Sequence, residues 1–134
     1  ARAVNPEFTF NLTSGFGPRV HPVTGRSDVH EGVDLSAPVG TPVRAPYGGR
    51  VVEVDEDPHL GVHVVVEHQG GYRTVYGHLS RAVVRTGQRV SASGVVGRSG
   101  ATGRVTGPHL HFALYRHGRA MDPSRWVSIP PARR

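Results

Sequence analysis

The segment Thr106–Tyr115, TGPHLHFALY, places two histidines on either side of one leucine, directly after a Thr-Gly-Pro turn. Side chains alternate between the two faces of a β-strand, so His109 and His111 point to the same face with Cα atoms about 6.5–7 Å apart. Imidazole binds metal ions and exchanges protons near neutral pH. The pair predicts either a metal ligand beside a proton-transfer group or two hydrogen-bonded structural histidines, with Leu110 and Phe112 facing the core.

A second metal-binding pattern is HEGVD, in which His30 and Asp34 are four residues apart. Both side chains supply atoms that bind zinc at about 2.0–2.2 Å. In a straight strand the two residues would be roughly 13 Å apart, and the intervening glycine and β-branched valine disfavour a helix. One ion therefore reaches both only if the chain bends or bulges at Glu31–Gly32. The H-E-x-x-H metalloprotease pattern does not fit, so Glu31 is interpreted as a solvated or groove-rim acid rather than a general base.

The chain contains nine histidines, which is dense for its length. His78 follows a tyrosine and a glycine at the end of an alternating strand, where a lone histidine is typical of a surface or capping position. His21 lies in a Pro/Gly-rich loop before His30 and could line a groove. The remaining histidines are interpreted as turn residues or as solvent-exposed or locally hydrogen-bonded residues: His59, His63, His68 and His117.

The bulk composition restricts the function classes. A chain of 134 residues with no cysteine predicts one domain without disulfides. No apolar run approaches the length of a membrane span, and the N-terminus lacks the apolar region of a signal peptide, so we expect either an intracellular protein or a mature fragment without its leader. The net charge of +6, carried entirely by arginine, favours an anionic partner. The arginines are scattered and no nucleic-acid motif is present, so nucleic acid is not the expected partner. The chain is expected to be a monomer.

The fold is predicted to be all-β. Glycine and proline separate short β-branched runs, a pattern typical of an antiparallel sandwich or barrel with minimal helix. Hairpin turns are predicted at 69–71 and 117–118. Helical turns are predicted near Leu79–Ala82 and at 122–127, where Asp122 would cap and proline would follow. We expect a single domain over 1–134, with a core of about 14–128 and loose ends at 1–12 and 129–134.

Four blocks, taken in order, resemble the lysostaphin/LytM-like zinc endopeptidases, also called β-lytic metallopeptidases. They are GFGPRVHPVTG, HEGVDLSAPVGTPVRAPYGGRVV, YGHLS and GQRVSASGVVGRSGATGRVTGPHLHF. The resemblance covers roughly Gly15 to Trp126. It implies an antiparallel β fold with a groove above a central sheet, in agreement with the strand pattern.

The resemblance also implies a role for each matching residue. His30, Asp34 and His111 match the ligands of one zinc ion, which keeps an open fourth position as in a catalytic site. His78 and His109 match the two histidines around the catalytic water, one taking its proton and the other steadying the oxyanion. The sequence does not decide which of the two has which role.

The implied substrates are peptide crosslinks of bacterial peptidoglycan, a polyanionic polymer. The RVHPVTGR loop resembles relatives that cut between D-alanine and a diamino acid more than those that cut glycyl-glycine bridges. We expect His21, Arg19 and Tyr76 to contact the substrate. Peptidoglycan lies outside the cytoplasmic membrane, so the resemblance implies a periplasmic or extracellular mature protein.

The family commonly has glutamate where this chain has Ala113, although this departure removes no ligand. Two alternative functions accompany the endopeptidase interpretation. A catalytically inactive relative that binds cell wall or activates an amidase is the first alternative, but such relatives typically lack ligand or catalytic histidines. The half-barrels of biotinyl or lipoyl carrier domains are the second, and they require a lysine that this chain lacks.

Overall fold

The computed structural model describes residues 2–3, 11–20, 27–103, 107–125 and 127–128, with side chains described at 15–17, 31–103 and 107–124. Within these residues the chain forms fourteen strands and two short 3-10 turns. The strands are β1 (Arg2–Ala3), β2 (Asn11–Ser14), β3 (Gly17–Val20), β4 (Ser27–His30), β5 (Val33–Ser36), β6 (Pro42–Arg44), β7 (Gly49–Asp57), β8 (Gly61–Glu67), β9 (Tyr72–Ala82), β10 (Arg89–Val90), β11 (Val95–Ser99), β12 (His109–Arg116), β13 (Arg119–Met121) and β14 (Val127–Ser128). The 3-10 turns are Gln69–Gly71 and Pro123–Arg125.

One ten-stranded antiparallel sheet dominates the described part of the chain. Its main path runs β10-β7-β8-β9-β12-β5-β2, while β11 pairs with β6 and β9, and β13 pairs with β12. Two small sheets accompany it, the antiparallel pair β3-β4 and the parallel pair β1-β14. The all-β prediction is confirmed. The architecture brings β5, β9 and β12 together, and these three strands carry the residues predicted to do chemistry.

The apolar core covers one face of the central strands. Leu110 and Phe112 are fully buried, as the alternation of β12 predicts, and the ring of Tyr76 lies 5.5 Å from that of Phe112. The opposite face of β12 carries His109 and His111, which are only partly buried and lie outside the apolar core. The buried apolar residues are Val33, Leu35, Ala37, Val43, Ala45, Val51, Val64, Val66, Tyr76, Leu79, Val84, Val96, Leu110, Phe112, Ala113 and Leu114.

The predicted hairpin turns are confirmed, whereas one predicted helix is wrong. Residues 69–71 connect β8 to β9, and 117–118 connect β12 to β13. His117 and Gly118 have φ values of 49° and 79°, the positive values that a two-residue type I′ turn requires. Leu79–Ala82 belongs to β9 because pairing with β11 satisfies its backbone groups. The 3-10 turn after Asp122 does form, and the Ser124 amide donates to the Asp122 carboxylate at 3.0 Å.

The ends of the chain are partly paired. Arg2–Ala3 pairs with Val127–Ser128, and β2 pairs with β5, so the described residues of the segment predicted to be loose lie in strands. The rest of 1–12 and all of 129–134 lie outside the described residues. None of the helices in the described part of the chain has the length and apolar character needed to cross a membrane.

Candidate active site

The chain bends between the two residues of the HEGVD pattern. Strand β4 ends at His30 in a small sheet, β5 begins at Val33 in the main sheet, and both residues of Glu31–Gly32 are bends. Gly32 lies hard against β12: a Cβ there would meet the Phe112 carbonyl oxygen at 2.6 Å and His111 Cε1 at 2.8 Å. The kink that a shared ion requires is therefore present, and it depends on glycine.

Asp34 and His111 come together across the sheet. They are direct partners in the antiparallel pair β5-β12, where opposed side chains share a face. His111 Nδ1 lies 3.0 Å from Asp34 Oδ1, and both side chains are partly exposed. Neighbouring ligand atoms around a tetrahedral zinc ion are about 3.4 Å apart, given bonds of about 2.1 Å. The spacing and the chemistry of these two side chains fit one zinc ion.

The third predicted ligand, His30, is only partly described. Its backbone pairs with Gly17 at the end of β4, and its side chain lies outside the described residues. Among the described side chains, no three histidine, cysteine, aspartate or glutamate residues are grouped to hold a metal ion. His30 as the third ligand stays a prediction.

A β-bulge presents His78 to the site. Between β8 and β9 the register shifts: Val62 pairs with Leu79 but Val64 pairs with Tyr76, which leaves one extra residue on β9. His78 has φ 61°, a value rare for residues other than glycine. Bulges re-aim side chains and are frequent beside active sites. The strand continues to Ala82, so His78 lies inside β9 rather than at its end as the sequence pattern indicated.

The contacts of His78 fix the state of its ring. The ring lies edge-on to that of His111, with centroids 6.1 Å apart. Its Nδ1 is 2.8 Å from the Thr102 carbonyl oxygen, which can only accept, so Nδ1 carries a proton and the neutral ring has a bare Nε2. Burial lowers the pKa of His78, and the hydrogen bond that Nδ1 donates to the Thr102 carbonyl oxygen opposes this shift. His78 therefore favours the neutral, proton-accepting form.

His109 opens strand β12 on the same face as His111. It pairs with Ser36, and its amide donates to the Gly100 carbonyl at 3.0 Å. Its Nδ1 lies 3.0 Å from the Gly107 carbonyl oxygen, so this ring too has a protonated Nδ1. The two histidines share one arrangement: a backbone carbonyl holds Nδ1 and leaves Nε2 for chemistry.

A groove of about 870 Å³ runs along this face of the sheet. His111 lies on its wall. Tyr115 is four residues further along β12 on the same face, and its hydroxyl donates a hydrogen bond to Glu31 Oε2 at 3.2 Å. Burial, together with the Glu31 carboxylate, raises the pKa of Tyr115 to about 12. Glu31 is an exposed acid at the groove, as its sequence context predicts. The groove is lined by Glu31, Glu53, His59, Leu60, His63, Val65, Glu67, Gly71, Arg73, Val75, His111, Tyr115, His117 and Gly118.

The buried ring of His63 forms an ionic contact with the exposed carboxylate of Glu53 in the groove. Its Nε2 lies 2.9 Å from Glu53 Oε2 and its Nδ1 lies 2.9 Å from the Gly61 carbonyl oxygen. Burial disfavours the charged ring, but these two hydrogen bonds and the nearby Asp57 outweigh it, so the pKa of His63 is raised. Both ring nitrogens face acceptors, and these contacts favour the protonated ring over the neutral one.

Of the three residues predicted to contact substrate, only Tyr76 has a described side chain. Tyr76 is fully buried against Phe112, and its hydroxyl is hydrogen-bonded to Thr74 at 2.7 Å. Because that ring belongs to the core rather than to the groove, Tyr76 is not retained as a substrate contact. The backbone of Arg19 pairs with Asp28 in β3-β4, while its side chain and the whole of His21 lie outside the described residues.

Sequence reasoning missed the residues that support the site. Thr102 holds His78, and Gly77 lets the neighbouring elements approach, because a Cβ there would lie 3.1 Å from Leu60 Cδ2 and 3.3 Å from His111 Cβ. The ATG turn that contains Thr102 is visible in the sequence as a loop. Nothing in its spacing indicates that its carbonyl reaches a histidine 24 residues earlier.

Known proteins resemble this chain in sequence and in fold. Residues 28–123 match the profile of Peptidase family M23. The chain is 45% identical over 123 residues, 91% of its length, to Peptidoglycan DD-endopeptidase ShyB of Vibrio cholerae serotype O1. A zinc-containing peptidase from Vibrio cholerae matches 96% of this chain and 40% of its own chain, with 40% identity and a TM-score of 0.84. The catalytic domain of lysostaphin from Staphylococcus simulans matches 87% of this chain and 91% of its own, with 34% identity and a TM-score of 0.78.

The match to these proteins differs in extent. The chain spans 29% of the length of ShyB, so it corresponds to one part of that longer protein. It corresponds to nearly all of the lysostaphin catalytic domain. The family profile covers most of the chain, including Asp34, His78, His109 and His111. The chain therefore belongs to Peptidase family M23.

Proposed function

We propose that this domain is a zinc-dependent endopeptidase that hydrolyses peptide crosslinks of bacterial peptidoglycan. The observation that carries the proposal is the 3.0 Å contact between His111 Nδ1 and Asp34 Oδ1, in which His111 also lines the groove. Two further imidazoles are each oriented by a backbone carbonyl: His109 lies on β12 with His111, and His78 lies on β9, which pairs with β12. Such a set of groups is suited to hydrolysis rather than to binding alone.

His30, Asp34 and His111 are the proposed ligands of one zinc ion. Their types and the separation of the two described side chains fit the nitrogen and oxygen ligands that zinc prefers. Three protein ligands would leave one position open. Bound zinc would supply a Lewis acid that polarises the scissile carbonyl and acidifies water.

His78 and His109 are the proposed proton-transfer and oxyanion-stabilising groups. In each ring the hydrogen bond at Nδ1 leaves Nε2 able to accept a proton from water and later to donate it to the leaving amine. Whichever ring is protonated can donate a hydrogen bond to the developing oxyanion. Because backbone carbonyls hold both rings, little reorganisation is needed when the substrate binds.

The proposed substrate is the crosslink between D-alanine and a diamino acid. The name of ShyB, a DD-endopeptidase 45% identical to this chain, supports this choice over a glycyl-glycine bridge. The net charge of +6 would draw the domain to an anionic wall polymer. Since peptidoglycan lies outside the cytoplasmic membrane, the proposed place of action is the periplasm or the cell exterior, and the domain is proposed to act as a monomer.

The proposal is tested by digesting purified crosslinked muropeptide dimers and identifying the products by mass spectrometry. The zinc-loaded domain should release monomers with a free D-alanine carboxylate, while Asp34→Ala and His111→Ala should lose both zinc and turnover. His109→Ala should keep zinc and lose turnover, by about 100-fold or more. Arg85→Ala, an exposed change outside the groove, is the control and should match the unmodified domain.

Two results would overturn the proposal. Undiminished turnover in zinc-free Asp34→Ala would remove the metal from the mechanism. Binding to peptidoglycan without any release of products, by a domain that retains its zinc, would instead support the inactive wall-binding alternative.

A further inference from the structure

Thr102 makes three hydrogen bonds that join three parts of the site. Its hydroxyl donates to the Leu79 carbonyl oxygen at 2.6 Å and accepts from the Val62 amide at 3.0 Å. Its own carbonyl accepts from His78 Nδ1 at 2.8 Å. The side chain of Thr102 thus ties its loop to β8 and β9, and the backbone of the same residue holds the histidine.

The register shift makes these bonds necessary. Val62 and Leu79 are paired at the edge of the bulge, where the regular ladder between β8 and β9 is interrupted. An interrupted ladder leaves backbone groups in need of other partners. The Thr102 hydroxyl supplies both, an acceptor for Val62 and a donor for Leu79, at the point where His78 leaves the normal strand conformation.

Glycines allow the Thr102 loop to lie directly on the strand. A Cβ at Gly61 would collide with Thr102, and one at Gly103 would collide with the Gly61 amide. Both glycines have positive φ, so the backbone there is shaped for this close contact. The loop is tightly packed against the strand, and the two hydrogen bonds of the Thr102 hydroxyl set the position of the Thr102 carbonyl.

We propose that Thr102 is a positioning residue for catalysis: its hydroxyl locks the loop whose carbonyl fixes the orientation and tautomer of His78. The described hydrogen bonds of the hydroxyl go to Val62 and Leu79, and Thr102 is not among the residues that line the groove, so its proposed effect is exerted through His78. The inference rests on the proposed function for its effect on turnover. Its effect on the His78 ring is independent of that function.

Three variants separate positioning from general stability. Thr102→Val keeps the shape and removes the hydroxyl, while Thr102→Ser keeps the hydroxyl. Thr41→Val is the matched control, because the buried Thr41 also donates its hydroxyl to a carbonyl, that of Pro38, at 2.6 Å in a loop away from the groove. Each variant is prepared with zinc, and its zinc content and folding are verified.

The first measurement is the histidine-ring pattern in long-range ¹H–¹⁵N NMR spectra. The unmodified domain, Thr102→Ser and Thr41→Val should all show His78 as the Nδ1–H tautomer. Thr102→Val should show a mixture of tautomers or a mobile His78 ring, with unchanged zinc content. An unaltered Nδ1–H tautomer in Thr102→Val would overturn the proposal, as would a loss of zinc in parallel with any change at His78.

The second measurement is steady-state turnover of crosslinked muropeptides. Thr102→Val should lower kcat about 10- to 100-fold with KM changed less than about twofold, because a misplaced catalytic group affects the chemical step. Thr102→Ser should recover most of the loss. A kcat for Thr102→Val equal to that of Thr41→Val would contradict the proposal. If the unmodified domain releases no product, the proposed function fails, and the NMR result alone decides on Thr102.

Discussion

His111 and Asp34 face each other across strands β12 and β5, with Nδ1 of one 3.0 Å from Oδ1 of the other. The register of two strands distant in sequence sets this contact. The bend at Gly32 lets the chain turn between His30 and Asp34, as a metal ion shared by the two residues would require.

Asp34→Asn should remove most of the stabilisation that zinc gives to the folded domain. A ligand that binds only the folded state adds about 2.7 kcal/mol when its free concentration is 100 times Kd. The amide is a poorer zinc ligand than the carboxylate, so the melting temperature of the variant should barely respond to zinc. Differential scanning calorimetry with zinc and with chelator measures this. An equal zinc response in Asp34→Asn and the unmodified domain would argue against Asp34 as a ligand.

Gly32→Ala should destabilise the domain by about 1–3 kcal/mol, since overpacking a close contact shifts the backbone. The added Cβ would meet the Phe112 carbonyl oxygen and His111 Cε1. Zinc affinity should fall as well, because the displaced ring belongs to the ligand pair. Urea unfolding in chelator and zinc competition titrations measure the two effects. Gly15→Ala is the control, as a Cβ there meets no atom of the described residues within 4 Å, and equal behaviour of the two variants would refute the packing argument.

His78→Asn should fold nearly as stably as the unmodified domain, whereas His78→Val should lose about 1–2 kcal/mol. The φ of 61° at this position is tolerated by asparagine and opposed by a β-branched side chain. Both variants lack the imidazole, so both should lose turnover. Unfolding curves and muropeptide digestion together separate the two effects. Equal stability of the asparagine and valine variants would show that the positive φ is not maintained in solution.

Stability should fall as the pH rises through the raised pKa of His63. The folded state holds the His63 proton more tightly than the unfolded chain, whose histidine pKa is near 6.5. The contribution of the His63 contact to the free energy of unfolding is therefore complete below about pH 6.5 and is lost as the pH rises above the folded-state pKa of His63. Glu53→Gln should flatten the profile between pH 5 and pH 9 in urea unfolding. Glu56→Gln, on the same strand, is the control, and a slope unchanged by Glu53→Gln would count against the ionic contact.

Much of this site is predictable from the sequence. The alternation of HLHF places His109 and His111 on one face, and the four-residue spacing of His30 and Asp34 requires a bend that the structure contains. These are local rules of strand geometry. The partial exposure of His109 and His111 follows from the same alternation, since Leu110 and Phe112 point into the core.

The supporting contacts are not predictable in this way. The bulge at His78 depends on the pairing of β8 with β9, and the reach of Thr102 depends on a loop 24 residues further along the chain. Leu79–Ala82 resembles a helical turn when read alone but becomes strand because β11 pairs with it. Tyr76 looks like a residue near the site but alternates into the core. Tertiary pairing decides each of these cases, and the local sequence pattern does not reveal which strands pair.

The central claim is that His30, Asp34 and His111 hold one zinc ion with an open coordination position. A crystal structure of the zinc-loaded domain with anomalous data collected at the zinc edge tests it most directly. The account predicts a single strong peak about 2.0–2.2 Å from Asp34 and from one ring nitrogen of each histidine. A peak held by other side chains, in crystals of protein that still cleaves muropeptides, would contradict it.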